Sequence, residues 1–309
     1  MLWRLEAMSA GGFEGTVLGT LVMPYCSGMG NLIFAYILGR DPHSNGADVM
    51  TNSLVNNVTN MTLVLGLPAI IWGMNVIPPK KKTDASAKKT KGGSSYELNR
   101  LSLLLTLLAV LFFTGVVWAM GRKGSLDSSD GLVLVGLFLF WQCFHVFEVL
   151  KQNARLGKSA VGWMFPVDIA LLAIGAYGIY VSTDWLVAWV SNTYTGFISV
   201  KHLGWLSGWL MVLPNAVMAI YYGLRKKPEV VYASQVGDAH VSIPLCLGIF
   251  ALYRPMPLPS FFHLGMFILV VATLVHFFFV GVFGRLPRTV GLLLVAAYGW
   301  FLWKGLFPT

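Results

Sequence analysis

The sequence alternates between long apolar runs and short polar connections. Nine runs are long enough for an α-helix to cross the hydrocarbon core of a membrane, which takes ~20 residues. Runs of this length exceed the ~10 alternating residues that a strand of a membrane barrel needs. The pattern therefore predicts nine transmembrane helices, at about residues 14–39, 49–76, 99–120, 131–151, 161–182, 204–224, 229–253, 259–283 and 287–306.

Composition supports this prediction and excludes several other classes of protein. Of the 309 residues, 56% are hydrophobic and only 11% are charged, whereas an ordinary soluble domain is ~25% charged. We therefore expect an all-α, polytopic membrane protein surrounded by lipid, not a water-soluble enzyme or a nucleic-acid-binding domain. The sequence has no phosphate-binding glycine loop, CxxC pair or nucleophile motif, so it predicts neither an enzyme nor a resident cofactor.

The connections divide the chain into six segments. They are an N-terminal segment (1–13), a first helix pair (14–77), a Lys-rich loop (78–98), connecting helices (99–203), a second helix pair (204–253) and a C-terminal helix pair (259–306). The last part of the connecting segment, 183–203, mixes aromatic and polar residues. It suits either an interfacial segment or a kinked extension of the fifth helix.

Lysine and arginine are distributed unevenly between alternate connections. If the N-terminus is cytoplasmic, the cytoplasmic connections hold 16 basic residues and the opposite connections hold 6. Because positively charged loops resist translocation, we expect the N-terminus and the Lys-rich loop in the cytoplasm and the C-terminus on the opposite side. In a bacterium, the protein would span the inner, cytoplasmic membrane.

The two helix pairs resemble each other in sequence. GNLIFAYILGR (30–40) aligns with PNAVMAIYYGL (214–224), and TNSLVNNVTNMTLVLGLPA (51–69) aligns with ASQVGDAHVSIPLCLGIFA (233–251). The copies begin five helices apart, and this odd number turns the second copy upside down relative to the first. Inverted repeats are typical of secondary transporters, whose substrate sites lie near the membrane midplane between the repeats.

Polar residues occupy matched positions in the two repeats. Asn52, Asn56 and Asn60 recur at every fourth position and therefore share one face of a helix. Because amides facing lipid would be costly, this face must point to the bundle interior or a water-filled cavity. Hydrogen bonds between helices would also explain why this row of asparagines points inward, but the density of amides favours a cation or water site. The matched pairs are Asn31 with Asn215, Asn56 with Asp238, and Asn60 with Ser242.

Asp238 lies close to the middle of its predicted span. A carboxylate at this depth should be paired, bound to a metal or protonated, because loss of hydration disfavours its charged form. The carbonyl oxygens of nearby asparagines could contribute to binding a cation. The sequence does not identify the metal, and spacing of the histidines gives no ligand set.

The second helix of each pair resembles the α-repeat of the sodium/calcium exchanger superfamily. In that family this helix reads G-N-V-x-G-S-N-I-x-N-x-x-L-V-L-G, and TNSLVNNVTNMTLVLG (51–66) keeps three of its asparagines and its ending. The preceding helix of the family carries G-T-S-L-P-E. Here LMVLPN (210–215) keeps Leu-Pro but has Asn215 at the Glu position, and CSGMGN (26–31) has Asn31 there.

The resemblance implies an exchanger-like fold and a cation site with a single carboxylate. Calcium sites take 6–8 oxygens, several of them anionic. We therefore expect a divergent antiporter that moves a monovalent cation or a proton. The alternative is a non-transporting, exchanger-like scaffold subunit of a larger membrane complex. The implied cation-binding residues are Asn31, Asn56, Asn60, Asn215, Asp238 and Ser242.

The number of predicted spans departs from the family. Its members typically have ten spans, with a long tilted helix before each repeat, whereas only residues 1–13 precede the first repeat here. We therefore expect a partner subunit or a second copy of the chain beside spans 14–39 and 49–76.

Overall fold

The computed structural model describes residues 23–77, 92–156 and 165–307. Its helices in chain order are α1 (Met23–Arg40), α2 (Gly46–Thr59), α3 (Leu65–Trp72), α4 (Gly92–Met120), α5 (Ser128–Leu156), α6 (Phe165–Ser191), α7 (Leu203–Leu224), α8 (Pro228–Val241), α9 (Leu247–Tyr253), α10 (Phe262–Phe283) and α11 (Arg288–Leu306). The predicted segment 1–13, the start of span 14–39 and most of the loop 78–98 lie outside the described residues.

Seven helical stretches of the described chain are long and apolar enough to cross a membrane. Two of these stretches combine two helices each, α2 with α3 and α8 with α9. With α1 and α5 added, the described chain has nine helical stretches. The prediction of an all-α, polytopic membrane protein is confirmed. Helix α6 continues past 182 to Ser191, so the first part of 183–203 extends the fifth helix.

Two of these helical stretches are interrupted by one π-helical turn each. The first π turn (Asn60–Val64) joins α2 to α3, and the second π turn (Ser242–Cys246) joins α8 to α9. The two turns begin at residues that the repeat alignment pairs. The α-helix is therefore interrupted by a π turn at the same position in each copy of the internal repeat.

The local chemistry of the two interruptions differs. Pro244 lies inside the second π turn and has no N–H to donate to the helix ladder. The first π turn contains no proline. Instead, the hydroxyls of Thr59 and Thr62 donate to the carbonyls of Val55 and Val58, a pattern that bends helices.

Packing between helices is reciprocal across the two repeats. Helix α1 packs against α8 and α7 packs against α2, while α5 lies on α9 and α11 lies on α3. Helices α4 and α10 pack against each other. These contacts of one repeat thus have counterparts in the other, as two inverted repeats require.

Glycines permit the same close backbone approach in both repeats. A Cβ on Gly291 would lie 2.7 Å from the carbonyl oxygen of Gly66, and one on Gly131 would lie 2.8 Å from the carbonyl oxygen of Gly248. Gly66 and Gly248 are aligned in the repeat. Small residues at these points let α11 and α5 contact the backbones of α3 and α9.

Short backbone pairings join the connections between helices. Strands β1 (Ser125–Leu126) and β2 (Met256–Pro257) pair in antiparallel fashion, and Met74 forms an isolated antiparallel bridge with Leu286. The first pairing links the α4–α5 and α9–α10 connections. The second links the α3–α4 and α10–α11 connections. One backbone pairing therefore joins two connections at each end of the bundle.

Candidate cation site

Asp238 is fully buried where the two repeats meet, and three amides donate to one of its oxygens. The Nδ2 atoms of Asn56, Asn60 and Asn215 lie 2.9, 2.6 and 3.0 Å from Asp238 Oδ2. Asn56 comes from α2, Asn60 from the first π turn and Asn215 from α7. These four residues, here called the Asp238 cluster, bring both repeats to one carboxylate oxygen.

The other side-chain oxygens of the cluster accept no hydrogen bond from the residues that the structure describes. Because a carboxylate can only accept, each amide directs its nitrogen to Asp238 and its oxygen elsewhere. Oxygens of this kind are the ligands that hard cations prefer. Within the described residues, the buried oxygens without a donor include Asp238 Oδ1 and the Oδ1 atoms of Asn31, Asn56, Asn60 and Asn215.

Helix α1 approaches the free oxygen of Asp238. A Cβ placed on Gly28 would lie 3.1 Å from Asp238 Oδ1. Asn31, one turn further along α1, is 1% exposed, and neither atom of its amide has a hydrogen-bond partner among the described residues. The expectation that Asn31 and Asn215 belong to one cation site stays a prediction.

Ser242 lies in the same interface but bonds to a different residue. Its Oγ donates to Asn57 Oδ1 at 2.9 Å, and Asn57 Nδ2 donates to the carbonyl of Ser53 at 2.7 Å. Ser242 thus links the second π turn to α2, whereas no hydrogen bond connects it to Asp238.

Gln235 is a neighbour of the cluster that sequence reasoning missed. It is buried, and its Nε2 donates to the backbone carbonyl of Asn215 at 3.4 Å. Its position one turn before Asp238 in α8 places both on one helix face, which is the signal that could have identified it.

Hydrogen bonds join α2 to α7 on one side of the cluster, and further buried polar groups lie on the other side. Where α2 begins, Asn52 Nδ2 donates to Ser207 Oγ at 3.1 Å, and the Gly204 N–H donates to Asp48 Oδ1 at 3.3 Å. Gly204 and Gly208 let α7 approach α2 closely there. Where α8 begins, buried atoms without partners among the described residues include Tyr232 Oη, Ser234 Oγ and Gln235 Oε1.

No cationic side chain balances Asp238 in the part of the chain that the structure describes. The ion pairs found there join Lys123 to Asp127 and Asp130 in the α4–α5 connection, where hydrogen bonding from Lys123 lowers the pKa of the exposed Asp127 carboxyl. The same described ranges contain no group of three His, Cys, Asp or Glu side chains that could hold a metal ion. The cluster therefore has one formal negative charge when Asp238 is ionised.

Comparison with solved structures supports the fold. A structure of the sodium-calcium exchanger NCX_Mj soaked with 2.5 mM Na+ and 10 mM Sr2+ is 20% identical, covers 96% of this chain and 90% of its own, and has a TM-score of 0.65. Another, soaked with 2.5 mM Na+ and 0.1 mM Ca2+, is 19% identical, covers 99% and 91%, and also has a TM-score of 0.65. At these identities, the likeness establishes the exchanger-like fold.

A family model matches most of the sequence. No curated protein matched the chain. The model described as sodium/calcium exchanger protein matches residues 2–147 and 167–304, which include both repeats. The chain therefore belongs to the sodium/calcium exchanger family of membrane cation antiporters.

Proposed function

We propose that this protein is an antiporter that carries a monovalent cation or a proton through the Asp238 cluster. One observation supports this most directly: three amides donate to one oxygen of the buried Asp238 carboxylate, while its other oxygen accepts no hydrogen bond from any residue that the structure describes. A buried charge without a partner is costly, so the ionised carboxylate favours a bound positive charge. One cation of charge +1, or a proton on Oδ1, neutralises it.

The same charge count disfavours calcium as the cargo. Calcium sites use 6–8 oxygens, and several of these are usually carboxylates. Here Asn31 and Asn215 stand where the family motif has glutamates, and amide oxygens carry no formal charge. The cluster would leave a bound calcium ion with an uncompensated positive charge in a buried site.

Each residue of the proposed site has a distinct role. Asn56, Asn60 and Asn215 fix the carboxylate of Asp238 by binding Oδ2, which leaves Oδ1 for the cargo. The free amide oxygens, including that of Asn31, offer further neutral ligands. Ser242 acts through Asn57, since its hydroxyl is used in the bond to that residue.

Flux measurements on the Asp238→Asn variant test the proposal. Purified protein in vesicles should move sodium, potassium, lithium or protons against a counter-gradient, and the variant should lose this flux by at least about 100-fold because its site has no charge. Asp184→Asn is a matched control, because Asp184 is an exposed carboxylate of α6. Equal flux in parent and Asp238→Asn would refute the role of Asp238.

Absence of any flux would favour the alternative function, a scaffold subunit. A partner subunit or second copy beside spans 14–39 and 49–76 likewise remains a proposal. The asparagines of span 49–76 are already 0–1% exposed within the chain, so they require no partner to cover them. The mass of the intact particle in mild detergent tests this proposal directly.

A further inference from the structure

His276 lies outside the Asp238 cluster but contacts the turn that carries Asn60. It is fully buried in the middle of α10, and its Nε2 lies 2.8 Å from the carbonyl oxygen of Met61. A carbonyl oxygen only accepts, so Nε2 carries the proton and donates. The ring of Tyr232 packs edge-on against the imidazole, with 5.4 Å between ring centroids, and helps to fix its orientation.

The carbonyl that His276 contacts lies at a break in the helix ladder. In an α-helix, the N–H of Leu65 would donate to the carbonyl of Met61. In the first π turn, this N–H bonds to the carbonyl of Thr62 instead. The Met61 carbonyl thereby loses its α-helical donor in a buried environment, where backbone carbonyls are almost always hydrogen-bonded. His276 supplies a donor to it.

The same turn positions the shortest hydrogen bond of the cluster. Asn60 is the first residue of the turn and precedes Met61 directly, and its Nδ2 lies 2.6 Å from Asp238 Oδ2. A change in the path of this turn would therefore move the Asn60 amide. The second π turn contains Pro244, which interrupts the ladder by itself, whereas the first π turn contains no proline.

We propose that His276 is a positioning residue for cation binding: its hydrogen bond to the Met61 carbonyl keeps the first π turn in the shape that directs Asn60 to Asp238. This inference rests on the proposed function of the cluster. It predicts that His276 determines the apparent affinity for the cargo through Asn60, with little effect on the maximal rate.

Three variants of α10 separate the hydrogen bond from the volume of the side chain. His276→Phe keeps a ring but removes the donor, and we expect it to raise the sodium KM in vesicles about tenfold. His276→Gln keeps an amide donor and should stay within about twofold of the parent. Thr273→Val is the control one turn away, because its hydroxyl donates within its own helix to Leu269. It should leave the KM unchanged.

A double-mutant cycle tests whether the effect passes through Asn60. In the Asn60→Ala background, His276→Phe should change the KM by less than about twofold, because the amide it positions is gone. An equal rise in both backgrounds would refute the positioning role. If His276→Phe does not fold, His276→Met, which also lacks a donor but packs flexibly, replaces it.

Measuring Asp238→Asn in the same vesicle assay distinguishes the proposed function of the Asp238 cluster from the positioning role of His276. If that variant transports like the parent, or the parent transports nothing, the proposed function fails and this inference fails with it. If Asp238→Asn is inactive but His276→Phe keeps the parent KM, only the positioning role of His276 is refuted.

Discussion

The two repeats share their backbone path but divide the chemistry of the site between them. Both break into a π turn at aligned residues, Asn60 and Ser242. The first repeat contributes neutral amides from α2 and its π turn, whereas the second contributes the only carboxylate of the cluster. The neighbourhoods of the breaks also differ: Pro244 lies inside the second π turn, whereas Pro68 lies after the first one, which receives the hydrogen bond of His276. Architecture has thus stayed symmetric while charge has become asymmetric.

The largest expected effect comes from moving the charge to the other repeat. Asp238→Asn alone should abolish flux, whereas Asn56→Asp combined with Asp238→Asn should restore a measurable part of it. The reason is that Asn56 Nδ2 and Asp238 Oδ2 lie 2.9 Å apart, so either position can carry the charge to nearly the same point. Sodium uptake by vesicles is the measurement. A double variant as inactive as Asp238→Asn would mean that the repeats are not interchangeable at this pair.

Restoring symmetric charge should change the preferred cargo. Asn31→Glu with Asn215→Glu would raise the formal charge of the site from one to three carboxylates, which suits a doubly charged ion. We expect calcium uptake to rise by about tenfold or more over the parent. Asn31→Gln with Asn215→Gln adds the same length without charge and should not admit calcium. Calcium flux in this control, or in the parent, would contradict the charge argument.

A smaller effect should follow from filling the space beside Asp238 Oδ1. In Gly28→Ala the added methyl would lie 3.1 Å from that oxygen, so the carboxylate or α1 must shift by a few tenths of an ångström. We expect the sodium KM to rise about threefold, a change of less than 1 kcal/mol, roughly. Gly115→Ala in α4 is the matched control, because no atom lies within 4 Å of its added Cβ. An unchanged KM in Gly28→Ala would show that Oδ1 does not face the cargo.

Sequence periodicity predicted much of this arrangement. The spacing of apolar runs identified the helices, and the repeat alignment paired Asn56 with Asp238, two residues that a hydrogen bond joins across the interface. This was possible because buried polar residues in a membrane have few alternatives to facing the interior. The family assignment is confirmed by the match over both repeats.

Other contacts could not be read from the sequence. The family resemblance implied a cation-binding role for Ser242, but its short side chain, at the start of a π turn, donates to Asn57. The first π turn has no proline to mark it. The bond between His276 and the Met61 carbonyl joins residues 215 positions apart, and only the packing of α10 brings them together.

The charge of Asp238 has an electrical consequence if the cluster exchanges monovalent cations. Among the described residues no cationic side chain pairs with this carboxylate, so one bound monovalent ion would neutralise it. Both steps of the antiport cycle, one with each cargo bound, would then carry no net charge at this site. An empty carrier would carry one negative charge, and a charge that crosses the whole field changes in energy by ~2.3 kcal/mol per 100 mV. One-for-one exchange through this site would therefore be independent of membrane voltage, and only an uncoupled return of the empty carrier would respond to it.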